Sequence, residues 1–344
     1  MSRSRPIIGG VPAPEDDAVV AVLARRTLCD GPEQVICSGT LVGPRAVLTA
    51  AHCLGGREPD ELEVLIGDTA SAPATVLAVW GAAVHPGYDA GAPAETSPDL
   101  MVLFLEGDAG VTPAVPADVA AAELVTGAQV QLVGFGATTI GGDLGVRVSG
   151  RATVDVVGGV SFSTGASAVP CGGDSGGAAL LETAAGPRLI GVIKGSGAGC
   201  ADQGLVVRVD AAYDTFLAPA LAAAPPPPER PPFDPSVAYC AEPCGEHADC
   251  PLGMLCLPGA DGAHCGYREA RTVAVGATCD GASTSCVPVG QGLARECREL
   301  LASCPAPPAT GGCGAAPGGE AGLAALIAVA LMRRARRPAA TFAR

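Results

Sequence analysis

Three short segments carry side chains that could act together on a carbonyl group. LTAAHC contains His52, SPDLMVLFL contains Asp99 and CGGDSGGA contains Ser175. A serine hydroxyl is a weak nucleophile at neutral pH, so it needs an imidazole to accept its proton and a carboxylate to hold that imidazole in the correct tautomer. Alone, the histidine is more often a capped or core residue and the aspartate a strand-end or turn residue, while the serine segment is as often a simple glycine turn. Their joint occurrence predicts an acyl-transfer site.

Rigid elements must hold these residues, and the sequence around them is typical of β-strands. Short apolar runs are separated by Gly, Pro, Asp and Ser; they cover 46–49, 100–105, 130–135, 189–193 and 205–209. No long stretch keeps a helical period, and the one late helix candidate is 211–218. The pattern favours an all-β sandwich or barrel.

Composition and charge limit the function further. With 344 residues, 48% of them hydrophobic, the chain can bury at least one full core, which excludes global disorder. The formal net charge of -14 repels polyanions and argues against nucleic acid as a partner. Fifteen cysteines predict an oxidising compartment and a disulfide framework. The first residues, MSRSR, lack the apolar segment of a secretory signal.

Shifts in composition divide the chain into four parts. Residues 7–218 hold the strand pattern and the three candidate catalytic residues, and a proline-rich, extended spacer is expected at 219–236. Residues 237–306 contain nine cysteines and few large apolar side chains, so disulfides must replace a core there. The lack of a paired C-x₂-C disfavours a metal site, and no cofactor is expected. Residues 307–344 form a tail.

The first part resembles the trypsin/chymotrypsin-like serine protease family. The resemblance rests on IIGG at 7–10, LTAAHC, DLMVLFL, GDSGG at 173–177 and QGLVVRV at 203–209. It implies two Greek-key β-barrels, protein or peptide substrates, and catalysis between the barrels. By the same resemblance His52 is the general base, Asp99 orients it, Ser175 is the nucleophile, and the backbone N–H groups of Gly173 and Ser175 form the oxyanion hole.

The GDSGG segment also fits the nucleophile elbow of α/β-hydrolases. That family places its histidine after the serine in the chain. Here the only later histidines, His247 and His264, lie in the cysteine-rich module beyond the spacer. The chain order therefore favours the protease family.

The resemblance also implies two disulfides, Cys37 to Cys53 and Cys171 to Cys200. Cys29 has no partner in the family pattern. It either bonds to the cysteine-rich module or remains a free thiol, and the sequence leaves both alternatives open.

Specificity is expected from the residue six positions before the nucleophile, which forms the floor of the primary pocket in this family. That residue is Val169, followed by Pro170, and Ser196 and Gly204 are expected to line the walls. A buried Arg or Lys side chain would find no carboxylate there. We therefore expect cleavage after uncharged apolar or small residues and no preference for basic ones.

Family members mature when a cut frees the amino group of the isoleucine in IIGG, which then pairs with the aspartate before the nucleophile. The corresponding residues are Ile7 and Asp174. Pro6 precedes Ile7 and follows Arg5, and an Arg–Pro bond is a poor site for ordinary processing.

Lys194 is a departure from the family pattern. The family usually has a serine at this position that helps to hold the catalytic aspartate. If the only lysine of the chain stands there, it could contact Asp99 and reduce activity. Two alternatives are a one-residue gap that moves Lys194 to the pocket rim, and a solvated lysine.

The tail resembles C-terminal sorting signals of bacterial surface proteins, of the myxobacterial type. It combines Cys313 in a Gly-rich turn, an apolar helix at 321–332 and an arginine cluster at 333–337. Cys313 would be the processing or lipid-attachment site, although a retained helix remains an alternative. We expect a secreted or surface-anchored envelope protein, with membrane association through the tail and a surface partner for the cysteine-rich module. The rival hypothesis is a catalytically impaired, protease-like adhesion protein.

Overall fold

The structure is a computed structural model and describes most of the chain up to residue 300. It describes residues 7, 10–24, 34–118, 123–139, 142–196, 200, 203–224, 226–232, 242–251, 254–259 and 262–266, and the backbone of 268–272, 284–289 and 294–300. Cys29, Cys313 and the predicted apolar helix of the tail lie outside these residues. Among the described residues, no helix has both the length and the apolar character needed to cross a bilayer.

The first six long strands close into an antiparallel barrel, here called the N-terminal barrel. Its strands are β2 (Val19–Ala24), β3 (Gln34–Gly43), β4 (Ala46–Thr49), β5 (Leu62–Ile66), β6 (Thr75–Val84) and β7 (Met101–Leu105). All residues of β4 and β7 are buried, as expected for unbroken apolar runs inside a barrel. These two strands pair directly, and their ends carry His52 and Asp99 into the same region.

Six further strands close into the C-terminal barrel. They are β8 (Gln129–Gly134), β9 (Val148–Val157), β10 (Ser161–Thr164), β11 (Ala178–Thr183), β12 (Gly186–Ser196) and β13 (Gly204–Arg208), and the short β1 (Val11–Pro12) extends the sheet beside β9. Ser175 lies in the turn between β10 and β11. The predicted all-β architecture of two barrels is therefore confirmed.

The predicted strands agree closely with the observed ones, whereas the late helix is displaced. The run 46–49 coincides with β4, and the other four runs overlap β7, β8, β12 and β13. A single turn of π-helix spans Tyr213–Leu217 and α1 spans Ala218–Ala222, so the first residues of the predicted extended spacer are helical. Pro219 is tolerated because it stands in the first turn, where its missing N–H has no helical acceptor.

Arg147 is the largest fully buried side chain, and it fastens the N-terminal segment to the barrels. Its guanidinium donates to the carbonyl oxygens of Ala13 at 2.9 Å and Val19 at 3.0 Å, and it pairs with Asp68 of the N-terminal barrel. Burial of this cation is compensated by those acceptors. Arg147 thus ties β9 to the segment that follows Ile7.

The cysteine-rich module contains a hairpin of β14 (Leu255–Gly259) and β15 (Gly262–Gly266), and a sheet of β16 (Arg268–Thr272), β17 (Thr284–Val289) and β18 (Ala294–Leu300). Two disulfides, Cys244–Cys256 and Cys250–Cys265, hold the hairpin to the segment before it. Cys250, Met254 and Cys265 form a small buried cluster. Among the described residues of this part, two disulfides and this small cluster hold the hairpin in place.

Candidate active site

His52 is held by Asp99 through two hydrogen bonds, one from its backbone and one from its imidazole. A single 3₁₀ turn, Ala51–Leu54, follows β4 and carries His52. The backbone N–H of His52 donates to Asp99 Oδ1 at 2.9 Å, and His52 Nδ1 lies 2.7 Å from Asp99 Oδ2. With Nδ1 engaged by the carboxylate, Nε2 is the nitrogen left to exchange a proton with a nucleophile.

Asp99 is a buried carboxylate, only 1% exposed, just before β7. Burial is the largest influence and raises its pKa, but the hydrogen bonds and charge of His52, and then the charge of Lys194, act in the opposite direction. Together these partners hold the pKa of Asp99 below its usual value. Asp99 therefore remains an anion beside the imidazole.

Ser175 is positioned by the N-terminal barrel, although it belongs to the C-terminal barrel. Its carbonyl oxygen accepts a hydrogen bond from the N–H of Ser38 in β3 at 2.7 Å. Gly176 has φ +87°, and a Cβ there would overlap the Ser38 carbonyl and the Thr49 hydroxyl. Only glycine allows this close approach between the barrels.

The Ser175 hydroxyl donates to the carbonyl oxygen of Lys194 at 3.1 Å. No hydrogen bond joins it to His52 among the described residues. The two nevertheless share neighbours: the sulfur of Cys53, the residue after His52, lies 3.8 Å from the Ser175 carbonyl oxygen. The structure thus joins His52 to Asp99 directly and brings Ser175 to the same region.

Two disulfides brace the segments that carry the histidine and the serine. Cys37 is bonded to Cys53, and Cys171 to Cys200. These are the pairs that the family resemblance implies. The Cys37 and Cys53 sulfurs lie near a nitrogen of His52, but a disulfide offers no thiolate to a metal ion.

Gly173, which is expected to contribute to an oxyanion hole, lies in a segment of unusual backbone shape that the buried Ser38 supports. Gly173 has φ +91°. Its carbonyl oxygen accepts a hydrogen bond from the Ser38 hydroxyl at 2.8 Å, and the same hydroxyl accepts from the N–H of Phe135 at 2.8 Å. Within the described ranges, the N–H groups of Gly173 and Ser175 donate to no protein acceptor. They are therefore free to stabilise a developing oxyanion.

Asp174 is fully buried and has no cationic partner among the described residues. Its carboxylate accepts hydrogen bonds from the N–H groups of Gly136 and Cys171, both at 2.8 Å. Burial, the largest influence, raises the pKa of Asp174 to about 7, although both hydrogen bonds lower it. Gly134 and Gly136 make room for it, since a Cβ at either position would overlap the carboxylate.

Ile7 is also fully buried, in the core of the C-terminal barrel. Its φ of +34° is rare for a β-branched residue. No hydrogen bond or ion pair connects Ile7 to Asp174 in the described part of the chain. The structure therefore leaves the predicted activation pair unformed.

Lys194 reaches Asp99, so the hypothesis of a solvated lysine is wrong. Its Nζ lies 3.6 Å from Asp99 Oδ2 and donates to the carbonyl oxygen of Ala94 at 3.1 Å. The side chain is only 16% exposed. Lys194 stands at a bulge between β12 and β13, with Ile193 paired to Val206 and Gly195 to Leu205.

A cleft of about 760 Å³ opens beside His52 and Asp99. His52, Asp99 and Lys194 lie in its wall, together with small residues of the loop 85–99 and the polar side chains of Arg57, Glu58, Tyr88, Asp89 and Ser196. Burial, followed by the charges of Asp99 and Asp89, raises the pKa of Tyr88 to about 12. Tyr88 is therefore a neutral hydrogen-bonding group at the edge of the cleft.

Only some of the residues predicted to form the primary pocket lie close together. Val169 and Pro170 are buried, and a Cβ on Gly204 would lie 2.5 Å from the Thr164 hydroxyl oxygen and 2.9 Å from Pro170 Cδ. The Thr164 hydroxyl is buried without a hydrogen-bond partner among the described residues. Ser196 lies instead in the wall of the cleft beside His52.

Three supporting residues were not predicted: Ser38, Gly134 and Gly136. Each acts on a partner at least 38 positions away in the sequence, so no local motif reveals it. The alternation in Gly134-Phe135-Gly136 was the one available signal, because glycines at the end of a strand often allow a close approach.

The fold and this arrangement are those of a serine protease with a histidine–aspartate pair between two β-barrels. The sequence model of the Trypsin family matches residues 7–216. Trypsin of Saccharopolyspora erythraea is 32% identical over 205 residues, which are 54% of this chain and 86% of that protein. Kallikrein-8 of Rattus norvegicus is 34% identical over 83 residues, but these are only 23% of this chain and 30% of that protein. The chain belongs to the trypsin family and is a serine endopeptidase.

Proposed function

We propose that the chain hydrolyses peptide bonds after uncharged small or apolar residues, with Ser175 as nucleophile, His52 as general base and Asp99 as its orienting partner. The observation that carries the assignment is the double contact between His52 and Asp99, at 2.9 and 2.7 Å. It fixes both the ring orientation and the tautomer that a general base requires.

In the proposed first step, the Ser175 hydroxyl exchanges its acceptor, the Lys194 carbonyl, for His52 Nε2. The proton passes to Nε2 while the Ser175 Oγ–carbon bond forms, and the N–H groups of Gly173 and Ser175 bind the resulting oxyanion. The imidazolium then protonates the leaving amine as the carbon–nitrogen bond breaks. A water molecule, deprotonated by His52, hydrolyses the acyl-enzyme and regenerates Ser175.

The proposed specificity is supported by Val169 and Pro170, which are both buried and carry no carboxylate. Pro170 and Thr164 also occupy the space beside Gly204. A cationic substrate side chain in this environment would lose its hydration without gaining a counter-ion. The Thr164 hydroxyl, which is buried without a hydrogen-bond partner among the described residues, is neutral.

The proposal includes a site of action outside the cytoplasm, at the cell surface. It is supported by the four disulfides of the described residues, which persist in oxidising compartments. The tail resembles a sorting signal. We propose Cys313 as its processing or lipid-attachment site, and the cysteine-rich module as the region that contacts a surface partner.

Labelling with a fluorophosphonate tests the assignment of the nucleophile. Matured wild-type protein should be labelled, Ser175→Ala should not, and Ser167→Ala, which removes an exposed hydroxyl, should behave as wild type. Failure of the matured wild type to react would favour the catalytically impaired adhesion protein. A peptide library then tests specificity, and fast cleavage confined to Arg or Lys sites would overturn the proposed pocket.

A further inference from the structure

We propose that Lys194 is a positioning residue that sets the pH range of catalysis, because its charge reduces the negative charge that Asp99 presents to His52. The inference rests on the proposed roles of His52 and Ser175. It concerns a position where the family usually has a neutral serine, so the consequence belongs to this chain.

The geometry makes Lys194 and His52 compete for one oxygen atom. Lys194 Nζ is 3.6 Å from Asp99 Oδ2, and His52 Nδ1 is 2.7 Å from the same oxygen. The lysine is held there by its second contact, the 3.1 Å hydrogen bond to the Ala94 carbonyl. With 16% of the side chain exposed, solvent screens this charge much less than it would a surface lysine.

The main-chain atoms of Lys194 also touch the catalytic machinery. Its carbonyl oxygen accepts the hydrogen bond of the Ser175 hydroxyl at 3.1 Å. One residue therefore contacts the resting nucleophile through its backbone and the orienting carboxylate through its side chain. A change in its position would be transmitted to both.

The expected effect is electrostatic. When His52 accepts the proton of Ser175, the resulting imidazolium is stabilised by the anionic Asp99. A second cation on the same carboxylate offsets part of that stabilisation, so protonation of His52 becomes less favourable. The enzyme should therefore remain active to lower pH than a variant without the charge, because its general base stays unprotonated there.

Other charged groups face this pair from neighbouring elements. Arg57 and Glu58 follow the 3₁₀ turn, while Tyr88 and Asp89 belong to the loop 85–99. Among the described residues, none of these four makes a hydrogen bond or ion pair with Asp99. In the described part of the chain, Lys194 is the only cation besides His52 that does so.

If Lys194 had only a structural role, its substitution would have different measurable effects. Through Ala94, Lys194 ties the loop 85–99 to β12 across the cleft. Loss of this tie alone would alter substrate binding and thermal stability. It would not move the pH at which His52 is protonated, so the pH profile separates the two roles.

The test compares Lys194→Met, which keeps the length without the charge, with Lys194→Arg, which keeps the charge. For matured, active-site-titrated enzyme, kcat/KM is measured from pH 4 to 9. The acid limb should move to higher pH by about one unit in the Met variant, and by only a few tenths in the Arg variant. An acid limb shared by wild type and the Met variant would overturn the proposal.

A second measurement does not depend on turnover. In the Ser175→Ala background, the ring signals of His52 are titrated by NMR with and without Lys194→Met; the chain has only four histidines, which makes assignment feasible. The midpoint should rise by about one pH unit on loss of the charge. An unmoved midpoint overturns the proposal for Lys194, whereas failure of wild type to label with fluorophosphonate counts against the proposed function alone.

Discussion

Two buried aspartates at the active site differ in their partners, and this difference governs their chemistry. Asp99 is 1% exposed and Asp174 is 0% exposed. Burial raises the pKa of both, but His52 and Lys194 reverse the effect at Asp99, whereas two backbone N–H groups do not reverse it at Asp174. At Asp174 the two hydrogen bonds do not offset the effect of burial on the pKa, whereas at Asp99 hydrogen bonds and neighbouring cations together favour the ionised carboxylate.

In the chain before any cut at Ile7, Asp99 has cationic partners among the described residues, whereas Asp174 does not. The Asp99 side already has its cation, its imidazole and its hydrogen bonds. The Asp174 side has Gly173 and the glycines that make room for the carboxylate, but no cation contacts Asp174 among the residues that the structure describes. The free amino group of Ile7 is the cation that the family resemblance supplies.

The largest expected effect comes from neutralising Asp99. Asp99→Asn keeps the shape of the side chain, but its NH₂ group can donate to His52 Nδ1 and so favours the wrong tautomer. We expect kcat to fall by about 10⁴-fold. Steady-state kinetics on a peptide substrate measures this, with Asp118→Asn, at an exposed position, as the control. Retention of more than a tenth of the activity would exclude Asp99 as the orienting residue.

Freeing the amino group of Ile7 should have the next largest effect, on the Asp174 side. A protein whose chain begins at Ile7 should gain about 10² to 10³-fold in kcat/KM, the usual value of one oxyanion donor. The control begins at Pro6, one residue earlier, and so places no ammonium at Ile7. Equal activity of the two forms would mean that Asp174 does not need this cation.

Asp174 should also make the uncut protein less stable as the pH rises. Its pKa of about 7 in the folded state lies above the ordinary 3.8, so between these values the folded state binds more protons than the unfolded one. The free energy of unfolding therefore falls as pH rises from about 4 to 7, by on the order of 4 kcal/mol from this group. Urea unfolding at pH 5 and pH 8 measures the loss.

The matched variant for this prediction is Asp174→Asn, which cannot ionise. Its unfolding free energy should depend less on pH than that of the uncut wild type. Burial is the main influence that raises the pKa of Asp16 to about 6. Asp16 therefore lowers the unfolding free energy of both proteins as the pH rises, and its contribution cancels when their pH dependences are compared. Parallel pH dependences would show that Asp174 is already paired with a cation in the uncut chain.

The surroundings of Asp99 can be predicted from the sequence better than those of Asp174. His52 and Asp99 lie in motifs next to apolar runs, and the pairing of β4 with β7 brings these residues together. The environment of Asp174 depends on Gly136 and Cys171, and that of Gly173 on Ser38, which is 135 positions away. The contact of Ser38 follows from how the two barrels pack against each other, and that of Gly136 joins distant segments of the C-terminal barrel. Apart from the alternating glycines at 134 and 136, the local sequence contains no signal for them. Likewise, the contact of Lys194 with Ala94 spans 100 positions and required the fold to place it.

Substitution of Ser38 should have the smallest effect, because its side-chain hydroxyl contacts only the segments on the Asp174 side of the site. Ser38→Ala removes a buried hydroxyl that bridges the Phe135 N–H and the Gly173 carbonyl, leaving both without that partner. We expect a loss of about 2 kcal/mol in the free energy of unfolding and a roughly tenfold slower reaction with fluorophosphonate. The control is Ser167→Ala, at an exposed position, which should change stability by less than about 0.5 kcal/mol.

Since Ser38 makes no hydrogen bond with His52 or Asp99 among the described residues, the acid limb of the pH profile should stay in place. A shifted acid limb would mean that the two halves of the site are coupled and that the two aspartates cannot be treated separately.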